Sequence, residues 1–73
     1  MEIRIGIQHS PREIVVESEQ EHDAVVTSLR SAIADGSPVV LTDVKGREVV
    51  LNGSAIAYAE VSSEEPRRVG FLG

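Results

Sequence analysis

Seventy-three residues, 41% of them hydrophobic and 26% charged, have the composition of one soluble globular domain and leave no length for a second. Seven Lys and Arg against twelve Asp and Glu give a net charge of -5, which opposes nucleic-acid binding, and Tyr58 and Phe71 alone are too few rings for base stacking. The lack of cysteine excludes a disulfide framework and a thiolate zinc site, and no stretch approaches the roughly 20 apolar residues of a membrane span. A cytoplasmic protein is the expectation.

Ile3, Ile5 and Ile7 alternate with Glu2, Arg4 and Gly6, the period-two pattern of a strand with one face buried. Ser10-Pro11 supplies a turn, and Ile14, Val15 and Val16 resume a β-branched run, so residues 2–8 and 12–17 read as a hairpin. Ser18 and Glu21 have the spacing of a capping box. Val25, Val26, Leu29, Ala32 and Ile33 follow as one apolar stripe at helical period. Gly36 suits the left-handed position past a last turn and Pro38 prevents continuation, which predicts a helix over 19–35.

Strands at 39–42 and 48–51 flank Asp43-Val44-Lys45-Gly46, with aspartate first and glycine last as a type I turn prefers. Asn52-Gly53 predicts a second tight hairpin leading into 55–61, because both residues tolerate positive φ. A polar loop at 62–66 precedes a short last strand at 67–71, with Val69 and Phe71 on one face. The order strand, strand, helix, then three or four strands defines an α+β fold. The expected architecture is one small twisted antiparallel sheet of five or six strands with an amphipathic helix on one face, or the same sheet partly closed into a barrel.

Chemistry-bearing patterns are sparse. His9 and His22 lack companions at metal-ligand spacing, and Glu21, His22 and Asp23 point about 100° apart on a helix, so no metal site is expected. Ser10 lies beside His9 without the glycine-flanked elbow of a nucleophile, and no phosphate-loop spacing occurs; neither an enzyme nor a cofactor is implied. The remaining anion site combines Arg12, Arg67 and Arg68, should the last strand meet the first hairpin. Small-ligand or nucleotide binding by that cluster is the alternative function. The leading one rests on the strand at 55–61, where Ala55, Ala57, Ala59 and Val61 alternate with Ile56 and Tyr58, so both faces are largely apolar. One helix cannot cover two faces, which points to self-association as a homodimer, or to another protein, through an apolar sheet face or edge.

Five motifs carry a resemblance: Ile5-Gly6-Ile7, Ser10-Pro11-Arg12-Glu13, Leu41-Thr42-Asp43 with Gly46-Arg47, Ile56-Ala57-Tyr58, and Arg67-Arg68-Val69-Gly70-Phe71. In that order and spacing the chain resembles family 3107 of the domains of unknown function, short actinobacterial proteins. The resemblance implies a cytoplasmic protein and singles out Arg12, Glu13, Tyr58, Arg67 and Arg68 as polar residues of a shared surface. It brings no established activity. Some relatives bear an ATP-binding label, for which this sequence contains no motif.

Overall fold

The computed structural model describes residues 1–62, which form five strands and one helix of an α+β fold. Strand β1 (Glu2–Ile7) buries Ile3 and Ile5 completely, as its alternation requires, and pairs antiparallel with β2 (Glu13–Glu17) in the expected hairpin. Helix α1 (His22–Asp35) lies across the sheet. Gly36 closes it at φ 71, donating its N–H to the Ala32 carbonyl, a left-handed position that glycine takes without a Cβ penalty. Of its apolar stripe, Val25, Leu29 and Ala32 are buried, Val26 is half-buried and Ile33 is 42% exposed.

The start of α1 corrects the capping-box reading. The helix begins at His22, and its cap is Glu21, whose side chain accepts the Ala24 N–H. Ser18 is committed elsewhere. Its N–H donates to the Met1 carbonyl, and its hydroxyl accepts from the Gln20 N–H and donates to Gln20 Oε1. Gln20 Oε1 also accepts the Thr42 N–H, so residues 18–20 serve as a bracket between sheet and ribbon rather than as a helical turn.

Strands β3 (Pro38–Thr42) and β4 (Glu48–Asn52) form a two-stranded ribbon closed by the expected turn. Gly46 N–H donates to the Asp43 carbonyl, and Asp43 Oδ1 accepts the Lys45 N–H. The ribbon's turn docks on β2: Val44 N–H reaches the Glu17 carbonyl at 2.7 Å, and Glu17 N–H reaches Asp43 Oδ2 at 3.3 Å. Val39, Leu41 and Leu51 point into the core, whereas Val40 and Val50, directly opposed in the ribbon, face outward.

A single sheet and a second tight hairpin do not form among the described residues. Asn52 has φ -87, and its Oδ1 accepts from the Ser54 N–H, capping a 3-10 turn at Gly53–Ala55. That turn packs on the end of α1, and Gly53 N–H donates to the Ser37 carbonyl. A Cβ on Gly53 would lie 2.0 Å from the Ala32 oxygen, so glycine is required for close approach and not for positive φ. The chain is thereby carried past the helix end, and β5 (Ile56–Val61) pairs antiparallel with β1 instead of β4. The result is a three-stranded sheet in the order β2-β1-β5 beside the β3–β4 ribbon, with no closed barrel among the described residues. The expected strand at 67–71 lies outside the described residues.

Candidate functional site

Strand β5 positions four of the five residues of the expected interaction face, and a bulge decides where they point. Tyr58 pairs with Gly6 but Ile56 pairs with Ile7, so Ala57 is the extra residue and the alternation inverts across it. Ile56 is buried, and Ala59 and Val61 pack against the core. Ala57 is exposed, and Tyr58 and Glu60 stand on the outer face. Ala55 belongs to the 3-10 turn. The set Ala55, Ala57, Ala59 and Val61 is therefore not one apolar face, because period-two counting fails at a bulge.

The outer face of the sheet is instead largely polar. Glu13, Gly6 and Tyr58 form one row across three strands, and Val15, Arg4 and Glu60 form the next. The Tyr58 ring lies over Gly6, where a Cβ would come within 2.2 Å of Cε2, and its hydroxyl donates to Glu13 Oε2 on the far strand. Arg4 Nε lies 3.5 Å from Glu13 Oε1 and 3.8 Å from Glu60 Oε1. The Tyr58 hydrogen bond, helped by Arg4, holds the Glu13 carboxyl below its ordinary range, and the same bond with the Glu13 charge pushes the Tyr58 phenol above its own. Residue pairing thus brings Glu13 and Tyr58 together. A glycine in the middle of a strand and a lone tyrosine were the sequence signals for this contact.

The edge of β5 is a different kind of surface. Ser62 N–H donates to the Glu2 carbonyl, so the β1–β5 ladder alternates from there: Arg4 with Glu60 and Gly6 with Tyr58 exchange hydrogen bonds, and Ile3 with Val61 and Ile5 with Ala59 do not. The N–H and C=O groups of Ala59 and Val61 accordingly point away from β1. They border a groove of about 310 Å³ between β5 and α1, lined by Val26, Leu29, Ile33, Ala59 and Val61 together with His22 and Arg30.

Among the described residues, the other edges are engaged at their ends. Glu17 of β2 is bonded to the ribbon turn, β3 begins at Pro38 and has its Thr42 N–H taken by Gln20, and β4 runs from Glu48 to Asn52, whose side chain caps the 3-10 turn. A larger depression, of about 680 Å³, lies where the ribbon turn meets β2. The Asp43 carboxylate beside it is consumed by Lys45 N–H, Glu17 N–H and the Arg47 guanidinium, which hold its pKa below the ordinary range.

Arg12 sits between β1 and β2, with its N–H donated to Ser10 Oγ at 3.3 Å; Arg67 and Arg68 lie outside the described residues. His9 occupies the same connection at φ 64, and His22 Nδ1 lies 3.0 Å from Asp23 Oδ1 while Glu21 serves the helix cap. Among the described residues, no group of three or more His, Cys, Asp or Glu is placed to hold a metal ion, and no helix is long and apolar enough to cross a membrane.

Fold and surface define a small α+β protein with a polar sheet face and, among the described residues, a β5 edge that borders an apolar groove. Comparison with protein families matches residues 1–72 to DUF3107, described as a protein of unknown function, and the chain belongs to that family. A search of curated proteins found no match.

Proposed function

We propose that this protein is an interaction module that binds an extended polypeptide segment along the edge of β5 that no described strand pairs with. The observation that carries the reading is the combination at that edge. The Ala59 and Val61 backbone groups point outward, and the side chains of an added strand would enter the groove beside α1, where Ile33 is 42% exposed. Main-chain hydrogen bonds supply affinity in such strand addition, and pockets for alternate side chains supply specificity. The bulge at Ala57 ends the regular edge on one side, leaving Tyr58 to Val61 as its flat portion. The outer face contributes rigidity: Tyr58 clamps β5 to β2 across β1 through Glu13.

The test is a titration of isotope-labelled protein with a synthetic peptide of residues 56–62, followed by amide NMR. Shifts concentrated at Ala59, Val61 and the groove side of α1, at Val26, Arg30 and Ile33, are the expected outcome. Ala59→Pro removes an outward N–H without touching the ladder to β1, so it should abolish those shifts while the rest of the spectrum stays folded. Shifts confined to the β3–β4 ribbon, or shifts unchanged by the proline, would overturn the proposal.

A further inference from the structure

We infer that the segment received by the β5 edge is β5 of a second copy of this chain, antiparallel and centred on Ala59, so that two three-stranded sheets become one six-stranded sheet. The inference rests on the proposed strand-accepting edge and identifies its occupant.

The argument is one of self-complementarity. A two-fold axis through an antiparallel strand pair makes each residue face its mirror position, and the centre decides which side chains meet. Centring on Glu60 would set two carboxylates directly opposite each other, a destabilising arrangement. Centring on Ala59 sets Glu60 opposite the partner's Tyr58 and Val61 opposite the partner's Ala57. Glu60 keeps its own countercharge in that register, because Arg4 lies 3.8 Å away within the same subunit. Ala59 points its N–H and C=O outward, so it forms a hydrogen-bonded pair with the partner's Ala59. Ala57 has no Cα partner on β1, and this register sets it opposite the partner's Val61 at the end of the join. Small side chains at 57 and 59 let the two backbones approach, and the apolar groove with Ile33 lies directly beside the join.

The experiment uses the full chain, which contains no cysteine, so that single cysteines report contacts without background. Light scattering over a concentration series should show the mass rising from 7.9 kDa toward twice that value. A hydrogen-bonded antiparallel pair holds its Cα atoms about 5.5 Å apart, within the roughly 4.4–6.8 Å that a disulfide spans. Under mild oxidation Ala59→Cys should therefore cross-link to itself. Ala57→Cys and Val61→Cys should each remain uncoupled alone and should couple when mixed. A mass of 7.9 kDa at every concentration would overturn the inference, and so would a dimer that persists in Ala59→Pro or cross-links elsewhere. A strict monomer that still binds the 56–62 peptide at Ala59 and Val61 would remove the second copy as occupant and leave the strand-accepting edge standing. Loss of peptide binding as well would remove both.

Discussion

Replacing Gly53 with alanine tests the device that separates the ribbon from the sheet and delivers β5 to β1. The new Cβ would meet the Ala32 oxygen at 2.0 Å, the Ala32 carbonyl carbon at 2.5 Å and the Ser37 oxygen at 2.5 Å, all backbone atoms that no rotamer change can move. Overpacking of this kind costs about 1–3 kcal/mol, and rigid neighbours place it at the upper end. The shift also strains the 2.9 Å bond from Gly53 N–H to the Ser37 carbonyl, whose loss adds about 1 kcal/mol.

A total near 4 kcal/mol is a large fraction of the roughly 5–15 kcal/mol that holds a domain folded, and lowers Tm by about 16–32 °C in a chain of this size. Gly46→Ala is the comparison. At φ 88 with no atom within 4 Å of the added Cβ, it meets backbone strain of only about 1–2 kcal/mol. Urea unfolding followed by circular dichroism reads both, with an unchanged m-value expected. A Gly53→Ala loss no greater than that of Gly46→Ala would refute the close packing of the 3-10 turn on α1.

Tyr58 is the single tyrosine in a chain without tryptophan, so phenolate absorbance reports it alone. Its titration midpoint should fall toward the ordinary phenol range in Glu13→Gln, and also in Gly6→Ala, where the Cβ forces the ring off the strand. The same contact sets a pH window. The depressed Glu13 carboxyl contributes stability that is lost as pH falls through its folded pKa, and the raised Tyr58 phenol contributes stability that is lost as pH rises through its own. Tm measured against pH should therefore decline at both ends, and both declines should be shallower in the Glu13→Gln, Tyr58→Phe double variant. Leu29→Ala, at a site 3% exposed in the centre of the helix stripe, should cost about 2–5 kcal/mol by urea unfolding.

The parts of the fold legible in the sequence are those governed by local periodicity. Ile3 and Ile5 gave away β1, and the apolar stripe with Gly36 located the body and end of α1. Asp43 with Gly46 identified the ribbon turn. The misread features depend on partners distant in sequence. Ser18 has ideal cap spacing, yet its N–H is bonded to the Met1 carbonyl, a contact invisible until the hairpin forms. Asn52-Gly53 is a strong hairpin signal, but the Ser37 carbonyl and the α1 terminus offered it a different set of bonds. The inserted residue Ala57 changes the face of every β5 residue on one side of it, which turned a supposed apolar face into a polar face with an open edge. Glu13 and Tyr58 were picked out by resemblance, and only the register across Gly6 explains why they act together.

The most direct test of the open edge is amide hydrogen exchange in β5, measured residue by residue in dilute and in concentrated protein. Tyr58 and Glu60 donate toward β1 and should be protected at both concentrations, whereas Ala59 and Val61 should exchange rapidly when dilute and gain protection as concentration rises. Ala59 and Val61 amides with the same protection at both concentrations, whether fast or slow, would contradict an edge that receives a strand from a second copy.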